Sequence, residues 1–435
     1  MSSSSRKLYV ALGAGALLGL APGARADNWE FLPRIEAGGM YNDNYRLAEG
    51  QAGKVKVYGP YIDAQFSANL LSQTTKLEFV PRVHSTFFPG DHADQSTDGY
   101  LDIDWDHKTL RSDFSGVAQY ANETVIYSEL PAATFLGTGL GQPTTGVSGR
   151  VSVHNRRHFE RLAPMYKYDM TQRTHLNLNA DLQHASYDQA LIQQTGYSNY
   201  AAGAGVGFDV SPRSVLTVTG VGAHFVPTGG HDTNHYGVNL EWDLRQSQIA
   251  RFYARVGVDR ANAQVMMTNT VVSGPLSGPV AQVTTTTSTV STTGANGGIG
   301  VDLRYQVTEV TIDALRALTP SAEGAVVTDD ELRFRVLHAF QPRFSGFLGA
   351  RGMRLRGVSN KAGLVVQGED YATAEAGFDF QITQSYRIEG KYGYIWQRFP
   401  GEPTAASNAV GLAIIYQPLS RFEPLPQLTG IPQER

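Results

Sequence analysis

The sequence predicts an all-β fold: one transmembrane antiparallel β-barrel of about 18 strands, within a range of about 16–18. Three observations predict it. The first residues have the pattern of an export signal, and apolar and polar side chains alternate along most of the remainder. Along the chain, short connections between these segments alternate with long ones.

The pattern predicts an export signal at residues 1–26. Arg6 and Lys7 form a basic start, residues 8–20 are apolar, and Ala24 and Ala26 frame a small-residue cleavage site. We therefore expect the signal peptide to be cleaved near Ala26. The chain contains no cysteine, so an exported protein of this length cannot rely on disulfides for its stability.

The alternation is clearest over residues 386–398. Ile388, Tyr392 and Trp396 alternate there with charged residues such as Arg387 and Glu389. In a strand the two sets point to opposite faces. A Lys or Arg facing lipid at the bilayer centre costs about 2–4 kcal/mol, so we expect the charged face to point into the barrel.

The pattern divides the chain into a barrel at residues 27–417 and a Pro-rich periplasmic tail at residues 418–435. Short turns on one side and long loops on the other are typical of barrels in the outer membrane of Gram-negative bacteria. An even number of strands places both termini on the periplasmic side. The predicted strand cores are 29–41, 57–71, 74–88, 97–108, 110–122, 155–170, 173–187, 197–211, 213–226, 233–245, 250–265, 295–306, 309–319, 328–340, 343–356, 370–382, 386–398 and 405–417.

Two predicted connections are unusually long, at about 123–154 and 266–294. The second contains the segment 283–293, which is almost entirely Thr, Ser and Val. This segment is either a disordered exposed loop or, because Thr and Val favour extended structure, a prolongation of the hairpin beyond the membrane.

The first long loop carries more apolar residues than an exposed loop normally does. We expect it to fold into the barrel and narrow it, while its acidic residues meet basic groups on the wall. The alternative is a loop that seals the mouth or contacts a partner protein. The expected constriction residues are Glu123, Tyr127, Glu129, Phe135 and Leu136.

Parity along the strands also predicts which residues line the pore. They are either paired with opposite charges to stabilise a wetted wall, or arranged as a track for a polar solute, which Arg clusters would bias toward acidic cargo. The predicted pore-lining set is Arg157, Arg161, Arg251, Tyr253, Arg255, Arg333, Arg335, Arg351, Glu375, Arg387, Glu389 and Lys391.

No catalytic motif is present, and the 11 His residues show no ligand-like spacing. We therefore expect no enzymatic activity, no cofactor and no metal, although a catalytic pair assembled at the barrel rim would leave no local motif. The formal net charge of −4 gives no indication of nucleic-acid binding.

The predicted first strand ends in Gly39-Met40-Tyr41-Asn42-Asp43-Asn44-Tyr45-Arg46-Leu47, an aromatic residue followed by an Asp-Asn pair. The segment resembles the β-barrel porin 2 family, which includes EpsL-type outer-membrane proteins encoded with exopolysaccharide synthesis genes. Turns such as Ser211-Pro212-Arg213 are also similar. A polar hairpin exit would explain Asn42-Asp43-Asn44 equally well.

The resemblance implies a porin, in several cases associated with the passage of polysaccharide across the outer membrane. We therefore expect a conduit for exopolysaccharide export. The alternatives are a diffusion porin for small polar solutes and a structural or adhesive barrel that acts through its extracellular loops. The expected partners are outer-membrane lipid, a polysaccharide or other polar solute, and a periplasmic polysaccharide-export protein.

Overall fold

The computed structural model describes residues 29–49, 53–89, 95–128, 155–189, 195–228, 232–273, 280–320, 326–357 and 368–419. The predicted signal peptide and residues 420–435 of the predicted tail lie outside these ranges. Among the described residues, no helix is long and apolar enough to cross a membrane.

Eighteen antiparallel strands form one closed sheet. Each strand pairs with its neighbours in sequence, and β1 also pairs with β18, which closes the barrel. The strands are β1 (Trp29–Asn42), β2 (Val57–Leu71), β3 (Thr75–Thr86), β4 (Ser96–Lys108), β5 (Ser112–Thr124), β6 (Arg156–Asp169), β7 (Thr174–Tyr187), β8 (Tyr197–Ser211), β9 (Ser214–Pro227), β10 (Thr233–Arg245), β11 (Ala250–Ser273), β12 (Val280–Arg304), β13 (Thr308–Pro320), β14 (Val326–Gln341), β15 (Phe344–Gly357), β16 (Glu369–Gln381), β17 (Tyr386–Arg398) and β18 (Ala405–Tyr416).

The predicted fold class, a closed antiparallel barrel, is confirmed. The region that follows the predicted fifth strand differs from the prediction. A one-turn helix, α1 (Val125–Ser128), follows β5, and β5 itself extends to Thr124. Glu123 is therefore a strand residue, not a loop residue as the sequence analysis expected.

The hairpin of β11 and β12 is longer than the wall of the barrel. Pairing with β10 ends at Ala263 and pairing with β13 ends at Gly297, whereas β11 and β12 stay paired as far as Ser273 and Val280. Residues 264–273 and 280–296 thus form a two-stranded ribbon beyond the wall. Of the two alternatives for residues 283–293, the prolonged hairpin is correct.

All connections at one end of the barrel are short, and hydroxyl side chains stabilise several of them. The Oγ1 of Thr109 accepts a hydrogen bond of 3.0 Å from the N–H of Ser112, and Ser72 accepts one of 2.9 Å from Thr75. Thr383 holds the turn before β17 in the same way, at 3.1 Å. A hydroxyl in this position lets the chain reverse without leaving donors unpaired.

The two faces of the sheet have opposite chemistry. Large apolar side chains of one parity are exposed on the outside, for example Val218 at 44%, Leu240 at 40% and Leu412 at 57%. Side chains of the other parity include the buried charged residues, such as Glu36 and Arg351. Strands of 12–16 residues tilted at about 40° can span an apolar band of about 25 Å. The molecule is therefore built as a transmembrane barrel.

Aromatic rings lie over glycines of neighbouring strands on both faces. A Cβ on Gly116 would clash with the Trp105 ring on the outer face, and one on Gly300 would clash with the Tyr253 ring on the inner face. Phe347 covers Gly377 in the same manner. The absence of a side chain allows the rings to lie against the wall, which explains why the chain combines 46 Gly with 21 Tyr and 19 Phe.

Leu240→Arg tests the assignment of the faces. Leu240 points outward from the middle of β10, so an Arg there meets hydrocarbon at a cost of about 2–4 kcal/mol and should block assembly. Thr217→Arg is the matched control, because residue 217 faces inward directly opposite Glu241. Heat-modifiable electrophoretic mobility reports assembly. Equal assembly of the two variants would contradict the assignment.

Candidate functional site: the inner face of the barrel

The inner face is a continuous ring of residues of one parity. Glu36 of β1, for example, is the partner of Asp63 on β2 and of Ile415 on β18. Following the registers around the barrel places every one of the predicted pore-lining residues on this face: Arg157, Arg161, Arg251, Tyr253, Arg255, Arg333, Arg335, Arg351, Glu375, Arg387, Glu389 and Lys391.

Most of the basic groups in this set are engaged by carboxylates. Glu331 is buried and receives two guanidinium groups, those of Arg333 (2.6 Å) and Arg351. The pair is deeply covered, since the Arg351 side chain is only 2% exposed. Removing the carboxylate or one of the guanidinium groups would leave a buried charge without its partner, which is strongly destabilising.

The same pairing recurs around the barrel. Arg161 contacts Asp181 at 3.0 Å, Arg251 contacts Asp243 at 2.5 Å, and Arg255 contacts Glu241 at 2.6 Å. Further pairs join Arg387 to Asp379 at 3.7 Å and Lys391 to Glu389. These arginines are therefore largely neutralised, which weakens the expectation that Arg clusters would select an acidic solute.

A buried polar network lies on β1 to β3. The Tyr61 hydroxyl donates to Glu36 at 2.8 Å, and Arg34 contacts the same carboxylate at 2.7 Å. Beside it, Asp63 accepts two hydrogen bonds from the Nε and Nη2 of Arg82, at 2.8 and 2.6 Å. Ion pairs and hydrogen bonds therefore link the inner faces of these three strands.

The inner face of β3 to β5 carries an excess of acid. Glu78 and Asp104 are register partners, and Asp102 is one inward position away from Asp104. Gln119 donates to Asp102 at 3.0 Å, and Lys76 lies 3.6 Å from Glu78. Within the described part of the chain, Asp104 has no cation at ion-pair distance. Among the described residues, this stripe therefore keeps carboxylate charge that no direct ion pair offsets.

The loop after β1 is fixed by the side chain of Asn44, which is fully buried. Its Nδ2 donates to the carbonyl oxygens of Ala48 (3.0 Å) and Ala406 (2.9 Å), and its Oδ1 accepts from the N–H of Ala48 at 3.0 Å. The neighbouring Asp43 accepts two hydrogen bonds from Asn408. The Asn-Asp-Asn segment therefore holds the loop against β18.

This anchoring brings two apolar side chains of the loop onto the inner face. Tyr45 packs in a cluster with inward-facing Met40, Val57 and Tyr61, and stacks edge-on with Phe88 at 5.3 Å between ring centroids. Leu47 belongs to a second apolar cluster, which it forms with Met353 of β15, Tyr371 of β16 and Ala405 of β18. The first loop thus covers the inner rim on both sides of β1.

Leu47 adopts a left-handed backbone conformation, with φ of 48°. For a residue other than glycine this conformation costs about 1–2 kcal/mol. Burying a leucine side chain contributes about 1.5–3 kcal/mol, which offsets the strain. Packing against the barrel wall, not local preference, therefore sets the shape of this loop.

The predicted constriction loop after β5 is only partly described. Glu123, the last inward residue of β5, lies 3.9 Å from Arg157. Ile126 of α1 packs against the cluster of Tyr45, and Tyr127 belongs to the same helix. Glu129, Phe135 and Leu136 lie outside the described residues. The loop therefore starts toward the inner face, and its further course stays a prediction.

Within the described residues, no group of three or more His, Asp or Glu side chains is placed to hold a metal ion. The sequence pattern predicted which face each wall residue lies on, because alternation along a strand depends only on neighbouring residues. It missed the insertion of the first loop, although Asn42-Asp43-Asn44 was visible, because the partners of these residues lie more than 360 positions away in sequence.

No family model and no curated protein matches the sequence. Among solved structures, the chain is similar to OpdK of Pseudomonas aeruginosa, solved with vanillate (10% identity, 89% of this chain and 98% of that chain, TM-score 0.43). It is also similar to OccAB2 of Acinetobacter baumannii (9%, 91% and 99%, TM-score 0.43) and to the ferric-catecholate import receptor Fiu of E. coli (8%, 91% and 82%, TM-score 0.42). These similarities concern the fold alone.

Asn44→Ala should release the first loop. It removes three hydrogen bonds and leaves buried backbone groups unpaired, each at a cost of about 1–3 kcal/mol. We expect the folded barrel to become sensitive to protease within residues 43–56 and its single-channel conductance to rise. Asn262→Ala, which removes hydrogen bonds from the outer face, is the control. Identical protease patterns for the two variants would rule out the anchoring role.

Proposed function

We propose that this protein is an outer-membrane channel for polar solutes, with an exported polysaccharide as its cargo. The observation that carries the proposal is the combination of an apolar outer face with a charged, hydrogen-bonding inner face in a closed barrel of 18 strands. Barrels of about 16–18 strands are wide enough to enclose an aqueous channel.

The connections support an orientation with both termini in the periplasm. At one end they comprise two to four residues, and at the other they run up to the segment 125–155. In outer-membrane barrels the short turns are periplasmic and the long loops extracellular. The inserted first loop then lies at the extracellular end, where it narrows the exit.

The chemistry of the inner face favours a neutral carbohydrate over a strongly acidic polymer. The basic groups are mostly paired with carboxylates, whereas Asp104 is not paired. Tyr253 and Phe347 lie against glycines of the wall, so that one ring face is supported. Sugars bind to such surfaces through stacking and hydrogen bonds. A periplasmic export protein would deliver the polymer to the short-turn end.

Current block by neutral oligosaccharides tests the cargo directly. In planar bilayers, we expect long linear oligosaccharides to interrupt the current of the wild-type channel. Tyr253→Ala should shorten these interruptions, because it removes a stacking surface worth about 0.5–1.5 kcal/mol. Phe252→Ala, the outward neighbour, is the control. A channel that conducts ions and small solutes but is never blocked by oligosaccharide would favour the diffusion porin instead.

Deleting the gene tests the role in the cell. We expect surface polysaccharide to disappear while its synthesis continues, because the polymer would have no path across the outer membrane. Complementation with the Asn239→Gln variant, a conservative change on the inner wall, should restore it. Normal surface polysaccharide in a clean deletion would contradict the proposed cargo.

A further inference from the structure

Five charged residues form one continuous row on the outer face of β13 to β17. They are Arg316, Asp330, Arg354, Asp370 and Arg398, and each is the direct register partner of the next. All five lie at the long-loop end of their strands. Arginine and aspartate therefore alternate across five neighbouring strands on the face that is otherwise apolar.

The row lies at the edge of the apolar band. One outward position closer to the middle of the barrel, the same strands present Ala314, Leu332, Gly352, Ala372 and Trp396, again in register. Leu332 is 56% exposed, as expected of a lipid-facing residue. The charges thus border the apolar surface on its long-loop side.

The ion pairs in the row fix the arginine side chains in position but leave about half of each side chain exposed. Arg316 contacts Asp330 at 2.5 Å, Arg354 contacts Asp370 at 2.6 Å, and Arg398 also contacts Asp370. The arginine side chains remain 51–52% exposed, whereas the aspartates are 19–26% exposed. The carboxylates orient guanidinium groups whose remaining N–H donors face outward.

The surface is net positive. Three arginines stand against two aspartates, and the exposed Arg356 lies one outward position farther toward the loops on β15. On β1 and β2, by contrast, the outward pair at the same end is Tyr41 and Tyr58, 43% and 62% exposed. Planar guanidinium groups bind phosphate oxygens through two parallel hydrogen bonds. The positive surface is therefore suited to phosphorylated headgroups.

We propose that the outer face of β13 to β17 binds the phosphate groups of a phosphorylated glycolipid of the outer leaflet, such as bisphosphorylated lipid A. The inference rests on the outer-membrane orientation proposed above. It does not depend on the cargo of the channel. The row would hold lipid phosphates against the outer face along the loop-side border of these five strands.

The test uses the full mature protein in detergent and native mass spectrometry of bound lipid. We expect bisphosphorylated lipid A to bind at least about tenfold more tightly than its dephosphorylated form or phosphatidylethanolamine. The triple variant Arg316→Gln, Arg354→Gln and Arg398→Gln should lose this preference. The matched control replaces Arg111, Arg173 and Arg213, exposed arginines at the short-turn end, and should keep it.

A second variant removes the carboxylates as well, by adding Asp330→Asn and Asp370→Asn to the triple change. It should lose the preference to the same extent. Retained binding in this variant would mean that repulsion by unpaired carboxylates caused the loss, and would overturn the proposal. Equal binding of lipid A with and without phosphate by the wild type would also overturn it.

Two further outcomes would contradict the proposal that a lipid binds to this row. One is displacement of lipid A by millimolar inorganic phosphate. The other is a dimer of the wild-type protein that the triple variant does not form. Single-channel conductance of the triple variant should equal that of the wild type. Loss of lipid binding with intact conductance is therefore distinguishable from failure of the proposed channel function.

Discussion

Closure of the backbone hydrogen bonds is the constraint on which the rest of this structure depends. In hydrocarbon an unpaired N–H or C=O costs several kcal/mol, so a sheet that crosses a membrane cannot have an edge. The pairing of β1 with β18 removes that edge. Once the sheet is closed, every strand has one face toward lipid and one toward the interior, and the two faces require opposite chemistry.

The charged interior follows from the same constraint. Most charges that would be costly in the apolar band of the outer face lie on the inner face instead, where they are close enough to pair across neighbouring strands. Pairs such as Arg161 with Asp181 and Arg255 with Glu241 join adjacent strands of the wall. Most basic groups are used in this way, whereas Asp104 on β4 has no cation at ion-pair distance among the described residues.

The two ends of the barrel differ in the length of their connections, and only the long connections can fold back onto the barrel. At the short-turn end the loops reverse within two to four residues, stabilised by Ser and Thr hydroxyls. At the other end the first loop folds back and places Tyr45 and Leu47 in separate apolar clusters on the inner face. The buried Asn44 makes this possible, since its amide satisfies backbone groups on both the loop and β18.

The sequence by itself determined the number of strands, nearly all of their positions and the face on which each wall residue lies. These properties follow from an alternation of period two, which local sequence carries completely. Strand ends were less certain where composition was ambiguous, as in the Thr-rich ribbon of β11 and β12, where only the cross-strand register shows that pairing continues to Ser273.

Only the tertiary structure decided which charges meet, how the first loop is anchored, and that Arg316, Asp330, Arg354, Asp370 and Arg398 share one row. Each of these depends on the register between strands and on barrel closure. Asn44 and Ala406, for example, come together only because the last strand returns to the first. A linear pattern assigns a residue to a face, but the height at which residues of different strands meet is set by the closed sheet.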